Sequence, residues 1–205
     1  MTKQKRRGML IIVSGPSGTG KGTLCERLIQ QDDRIGFSVS ATTRAPREGE
    51  VDGVHYHFLT EAAYDELLAR DAFLEHATVH DHRYGTLRAP VEAAIEAGED
   101  ILLDVDSQGA MSVMKKMKDT VSIFILPPSF KALRQRLRTR NTDDAQEIEK
   151  RLRNARAEMR QCKHYDYALI NDNLDTAFHR LTSIIMAERH RTVRYLPEIC
   201  EEDDA

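Results

Sequence analysis

The stretch with the densest chemistry is Gly15-Pro-Ser-Gly-Thr-Gly-Lys-Gly-Thr23. Glycines with a lysine at this spacing make a cradle for phosphate. Gly15, Gly18 and Gly20 let the backbone take positive φ and turn its N–H groups inward on an anion. Lys21 then reaches the terminal phosphates of a bound nucleotide. Pro16, Ser17, Thr19, Gly22 and Thr23 complete the wall. One position departs from the pattern. The residue after the lysine is usually Ser or Thr, whose hydroxyl binds Mg²⁺. Here it is Gly22, and the hydroxyl comes one place later, at Thr23. Two readings follow: Mg²⁺ is held through water and a carboxylate, or Thr23 serves the phosphates alone.

Two further sets of residues fit that chemistry. Asp104 closes the apolar run Ile101-Leu-Leu-Asp104. From such a strand end a carboxylate reaches Mg²⁺ and its waters; the plainer role is a cap on the next helix. Arg44, Arg47, Arg136, Arg138, Arg140 and Arg151 form the second set. Arginine forks bind phosphate bidentately. A nucleoside monophosphate carries about −2 and ATP about −4 near neutral pH, so the two approach only among cations. Arg44 and Arg47 lie in a glycine-bearing loop. The arginines around 136–140 fit a solvated helix face equally well. No nucleophile–base pair stands out, and in-line phosphoryl transfer asks only for positioning and charge stabilisation. His80-Asp-His82 lacks a third ligand at metal spacing, and His55 and His57 read as surface residues.

These residues need a frame. Met9-Leu-Ile-Ile-Val13 is a buried strand before the loop, and Leu24, Cys25, Leu28 and Ile29 repeat at helical spacing after it. The helix N-terminus adds partial positive charge to the same space. Gly36–Thr42 alternates as a half-buried strand, a charged loop covers 43–53, and Val54–Leu59 reads as a strand. Thr60 caps a helix carrying Tyr64, Leu67 and Leu68, Phe73–Val79 alternates again, and Pro90 opens a helix ending at Gly98. Strands at 101–104, 121–126 and 167–171 alternate with helices whose apolar stripes include Ala110/Val113/Met114/Met117, Phe130/Leu133/Leu137, Ile148/Leu152/Met159 and Leu174–Ile185. The expected fold is α/β, a parallel sheet covered by helices on both faces. Residues 36–86, richer in strand and loop, read as an inserted lobe. Residues 134–160, polar helix either side of a break at Asn141-Thr-Asp-Asp144, read as a lid.

At 205 residues the chain is one domain. A net charge of −3 gives no case for nucleic-acid affinity. No apolar run approaches the roughly 20 residues that span a membrane. Cys25, Cys162 and Cys200 are odd in number and widely spaced, so a reducing cytosol fits. Residues 1–7 and 201–205 read as tails.

The Lys-Gly-Thr ending of the loop resembles adenylate kinases. A longer set of matches is more specific: Phe37-Ser-Val-Ser-Ala-Thr-Thr-Arg-Ala-Pro-Arg47, Gly49-Glu-Val-Asp-Gly53, Tyr56, Phe73-Leu-Glu75, Tyr84-Gly-Thr86, Leu103-Asp-Val-Asp106 with Gln108-Gly109, and Asn171-Asp172. In this order they resemble the guanylate kinase family from Met9 to about Arg191. The resemblance implies a P-loop NTPase-type core (8–35, 87–133 and 161–200), a mixed-strand GMP-binding lobe (36–86) and a helical lid (134–160). It implies transfer of the γ-phosphoryl group of ATP to GMP, giving ADP and GDP, with Mg²⁺, in purine metabolism in the cytoplasm. The partners are then ATP and GMP, without nucleic acid or membrane; a homo-oligomer is left open. By the same resemblance Arg44, Arg47, Tyr56 and Tyr84 hold the GMP phosphate. Ser40, Glu75, Thr86 and Asp106 surround the guanine. Arg136, Arg140 and Arg151 are the lid cations on the ATP side, and Asn171 lies near the adenine. Lys21, Arg44 and the lid arginines make up the catalytic set, and Asp104 serves the metal through water.

Three positions depart from the family: Gly22, Asn141 where the lid often has glycine, and His82-Arg83 before Tyr84. Two other readings compete. A kinase for AMP or a sugar phosphate fits Ser40, Glu75 and Asp106 poorly. A non-catalytic protein-binding relative typically loses the working loop, which is kept here.

Overall fold

The computed structural model describes residues 6–139 and 145–197. Strands β1 (Leu10–Ser14), β2 (Ile35–Phe37), β7 (Asp100–Asp104), β8 (Thr120–Leu126) and β9 (Tyr167–Ile170) form one five-stranded sheet in the order β2-β7-β1-β8-β9. Every pairing in it is parallel. β1, at the centre, is buried at all five positions. Its side chains alternate between two apolar layers. Ile11 and Val13 pack with Leu24, Leu28, Phe178, Leu181 and Ile185, from helices α1 (Lys21–Gln31) and α7 (Leu174–Arg189). Leu10 and Ile12 pack with Val91, Ile95, Ala110 and Val113, from α3 (Arg88–Glu96) and α4 (Ser107–Lys116). Each such side chain is worth about 1.5–3 kcal/mol on burial, which fixes the strand end that carries the loop.

A second sheet, in the order β4-β3-β6-β5, contains β3 (Ala41–Thr42), β4 (His57–Phe58), β5 (Phe73–Val79) and β6 (His82–Leu87). It is mixed: β3 runs parallel to β4 and antiparallel to β6. The strand expected over 36–42 is thus two pieces in two sheets, β2 on β7 and β3 on β6. The strand expected over 54–59 shrinks to His57–Phe58. Val54 and His55 instead donate their N–H groups back to the Val51 carbonyl, closing a turn that alternation cannot reveal. Helix α2 (Glu61–Ala69) is capped by Thr60, whose hydroxyl accepts from Ala63 N. It buries Tyr64 against Phe73, with stacked rings 4.5 Å apart, while Leu68 faces outward. His80 and Asp81, at φ 47° and 64°, form a two-residue turn whose twist matches the β5–β6 hairpin. His80 and His82 are therefore hairpin-tip residues, and among the described residues no metal-binding cluster occurs.

Helices α5 (Phe130–Thr139) and α6 (Ala145–Met159) pack through Leu133, Leu137, Ile148, Leu152 and Ala155. Ser129 caps α5 through a bond from Ala132 N. The amino-terminal segment, expected as a loose tail, is pinned where it is described. Arg6 pairs with Asp100, a fully buried carboxylate that also accepts from Met9 N and from Arg189 Nε at 2.7 Å. Arg7 N bonds the Arg194 carbonyl, and Arg194 pairs with Glu188 and Asp119 at 2.7 Å each. Buried carboxylates persist only with such partners.

Candidate functional site

The loop joins β1 to α1. Gly15 is required at its start: at φ 143°, a Cβ there would fall 2.3 Å from the Ile125 carbonyl oxygen. Gly20 caps α1 in the left-handed region, and its added Cβ would meet Asn171 Nδ2 at 2.5 Å. Thr19 is buried between them. Its hydroxyl donates to the Pro16 carbonyl at 2.8 Å. Its carbonyl accepts from Asn171 Nδ2 at 2.9 Å and from Arg136 Nη1 at 3.3 Å. Arg136 Nη2 also donates to the Asn171 carbonyl at 2.9 Å. Arg136 and Asn171, both expected on the ATP side, thus lock the loop backbone and each other. They share with Gly18, Gly20 and Thr23 an open cavity of about 600 Å³.

A second cavity, about 440 Å³, runs along Gly15–Gly22 and is closed by Asp104, Asp106 and Glu158. Lys21 Nζ lies 3.1 Å from Asp104 Oδ1 in it. The strand register pairs Val13 with Asp104, so the carboxylate emerges beside the loop. The capping role considered for Asp104 belongs to Asp106, whose side chain accepts from Gly109 N at 2.8 Å. Ser17, Gly22 and Thr23 are exposed, and a side chain at Gly22 would meet nothing within 4 Å. Glu158, on α6, was not legible as a site residue. Burial raises its carboxyl pKa, Asp106 adds to the rise and Lys21 opposes it. The signal lay in its place beside the apolar stripe of α6.

The lobe carries two groupings. In the first, Thr86 Oγ1 donates to Glu75 Oε1 at 2.7 Å. Burial raises the Glu75 pKa, with the Asp106 charge acting in the same direction and the Thr86 bond opposing it. Glu75 and Thr86 are cross-strand partners, and Tyr84 lies two residues from Thr86, on the same face of β6. In the second, Arg44 grips Glu50 with both terminal nitrogens, at 2.9 and 2.8 Å. Its guanidinium lies 5.3 Å from the Tyr56 ring centroid and 5.8 Å from that of Phe58. Tyr56 and Tyr84 meet edge to face at 6.1 Å. Arg44 and the Arg47 backbone N–H hold the Glu50 carboxyl down at about 2, and the Arg44 pKa is raised, chiefly by Glu50. Arg47 is exposed and takes part through that N–H. Ser40 is half-buried, and its carbonyl accepts from His57 N. Glu50 is the partner that sequence reading passed over, although it stands within the matched stretch.

The remaining expectations divide. Arg151 is half-buried on α6, whereas Arg140 and Asn141 lie outside the described residues. Arg83 has a local role: its guanidinium lies 4.4 Å from the Tyr64 ring centroid, bonds Asp65 at 2.5 Å and pairs with Glu61, tying α2 to the hairpin. Cys25, beneath the loop, has its thiol pushed up to about 12, mainly by burial, and is no nucleophile.

Comparison with known proteins gives one consistent result. A family profile described as Guanylate kinase matches residues 7–188. A guanylate kinase of Clostridium perfringens (strain SM101 / Type A) is 43% identical over 201 residues, 98% of this chain and 93% of the relative. One from Jannaschia sp. (strain CCS1) is 50% identical over 193 residues, 93% of this chain and 88% of the relative. The crystal structure of guanylate kinase from Anaplasma phagocytophilum superposes with a TM-score of 0.68 at 34% identity, covering 94% of this chain and 92% of that one.

Proposed function

Because the chain belongs to the guanylate kinase family, we propose which of its residues carry the transfer of a phosphoryl group from ATP to GMP. The enzyme is an ATP:GMP phosphotransferase, and its products are ADP and GDP. The observation that best supports the assignment is the meeting of Lys21, Asp104 and Asp106 in one cavity along the loop. The loop N–H groups and Lys21 hold the β- and γ-phosphates of ATP, and Asn171 borders the adenine end. Arg44, Arg47, Tyr56 and Tyr84 bind the GMP phosphate. Ser40, Glu75, Thr86 and Asp106 read the guanine. The acceptor phosphate is already ionised near neutral pH, and the described residues offer no activated nucleophile, so transfer is direct and in line. Arg44 and Arg151, with Arg140 from outside the described residues, supply positive charge to the transferring group, and Arg136 serves it by holding the loop backbone through the Thr19 and Asn171 carbonyls. ADP release with a panel of monophosphates tests the reading: GMP should be preferred, and equal rates with AMP would overturn it.

The acidic residues fit Mg²⁺ bound through water. Asp104 stands at the loop, while the described residues contain no cluster of three or more acidic, His or Cys side chains to ligate an ion directly. When bound with ATP, Mg²⁺ supplies charge neutralisation on the phosphoryl oxygens. Asp104 both orients that hydrated ion and holds Lys21 until the nucleotide arrives. Asp104→Asn should raise the Mg²⁺ concentration for half-maximal rate by about 10- to 100-fold. Gly22→Ser, which enters open space, should stay active. An unchanged Mg²⁺ titration in Asp104→Asn would remove the assignment.

The 36–86 lobe and the 134–160 lid close on the core when both nucleotides are present, excluding water that would waste ATP. Small-angle scattering should show compaction with a bisubstrate analogue; superimposable curves would argue against closure. The reading places this activity in the cytoplasm, where the free thiols Cys25 and Cys162 stay reduced; among the described residues no helix is long and apolar enough to cross a membrane.

A further inference from the structure

Helix α4 carries two different faces. Ala110 and Val113 face the apolar layer under the main sheet, with Met114 packed against it. Gly109, Ser112 and Lys116, at i, i+3 and i+7, fall on another stripe, and that stripe lies along β5. β5 is an edge strand, bonded on one side to β6 alone. On its other side Ser112 Oγ donates to the Leu74 carbonyl at 2.9 Å, and Lys116 Nζ to the Phe73 carbonyl at 2.6 Å. Lys116 also pairs with Asp71 at 2.6 Å. Gly109 lies beside both carboxylates: a Cβ there would stand 3.5 Å from Glu75 Oε2 and 3.5 Å from Asp106 Oδ1, in ordinary contact with each.

The consequence is geometric. Asp106 is the N-cap of α4, and Glu75 directly follows the two carbonyls that α4 grips. The β5–β6 register runs regularly from Glu75 opposite Thr86 to Val79 opposite His82 and shifts only between Phe73 and Glu75, so the ladder sets the face of Glu75 while α4 holds the irregular segment that leads into it. We propose that Ser112 and Lys116 are positioning residues for base selection: through β5 they set the separation of Glu75 from Asp106, one carboxylate from the lobe and one from the core. This rests on the reading of Glu75 and Asp106 as guanine-facing groups. Neither Ser112 nor Lys116 touches substrate; each acts through the strand it holds.

The test uses the full-length enzyme and three variants: Ser112→Ala, Lys116→Met and their combination, with Lys116→Arg as the conservative control. Loss of one hydrogen bond typically corresponds to about 3- to 10-fold. Each single variant should therefore raise the KM for GMP by roughly that factor and lower the GMP/AMP ratio of kcat/KM. The KM for ATP should stay at the parent value, and Lys116→Arg should recover most of the GMP affinity. Glu75→Gln is run alongside. If Glu75→Gln alters the GMP/AMP ratio and the double variant does not, the seam has no positioning role and the proposal falls. If the double variant shifts the KM values of both nucleotides equally, the seam is merely structural and the proposal falls likewise. If Glu75→Gln itself leaves the ratio unchanged, the failure lies in the base-reading assignment on which the proposal stands, and it falls with it.

Discussion

Lys21→Met should lower turnover by about 10²- to 10³-fold or more, the usual cost of losing a preorganised charge on a developing anion. The reasoning starts from where the ammonium sits. Lys21 is in the first turn of α1, its side chain 18% exposed, 3.1 Å from Asp104. Among the described residues no other lysine lines either loop cavity. Arg136, which lines the adjoining cavity, already donates to the Thr19 and Asn171 carbonyls. Methionine keeps the length of the stem and removes the ammonium, with its charge and its three N–H donors. The fold should survive, because Asp104 loses its partner at a site still 24% exposed, where water can replace it. A fully buried carboxylate would cost about 3–5 kcal/mol in the same situation. Steady-state ADP release and a thermal melt on the same preparation decide the matter. A folded variant within tenfold of the parent rate would show that Lys21 is not the charge that matters.

The second large effect concerns Glu75. Guanine presents N–H donors at N1 and N2, while adenine presents a lone pair at N1. A carboxylate accepts from the first and repels the second. A buried polar site left unpaired by the wrong ligand rejects it by about 10⁴-fold. Glu75→Gln should remove much of that discrimination: GMP activity falls sharply, the GMP/AMP ratio narrows, and ATP affinity holds. Stability should move the other way. The folded-state pKa of Glu75 is raised, mainly by burial, so the ionised form is disfavoured in the folded protein. For such a group the cost is full above the folded pKa and is relieved as pH falls through it. At neutral pH the glutamine variant should therefore melt at the parent temperature or higher, an advantage that shrinks as the medium is acidified. Thr86 can still donate to the amide oxygen. A variant that keeps the parent GMP/AMP ratio would show that Glu75 does not read the base.

How much of this was legible beforehand depends on the range of the forces involved. The β1-loop-α1 unit was, because the apolar run, the glycines and the helical repeat are contiguous. The caps at Thr60 and Ser129 were, because capping is a three-residue event. The break between β2 and β3 was not: alternation continues unbroken through 36–42, and only the separation of two sheets divides it. Val54–His55 failed for the converse reason, since strand-like composition lost to backbone bonds reaching back to Val51. The pairing of Arg44 with Glu50 and of Lys21 with Asp104 joins residues that no periodicity relates. Lys21, Asp104 and Arg44 were legible one by one from the loop, the strand end and the arginine-bearing segment; Glu50 was not, and neither was either pairing.

The buried Asp100 has a consequence for how the protein comes to be made. Its main guanidinium partner, Arg189, is encoded 89 residues later. While a ribosome is still translating that interval, β7 can pair with β1, yet its first carboxylate has only Arg6 and the Met9 N–H at hand, both on Oδ1. Burying it then leaves Oδ2, the oxygen that Arg189 meets, without a partner, which opposes a completed sheet. Arg194, arriving still later, does the same for Glu188 and Asp119. The phosphate loop, built near the start, thus acquires a rigid base only once the last helix is synthesised. A nascent chain cut short before α7 would carry every residue of the loop and yet lack the counter-charges that seal the strands beneath it.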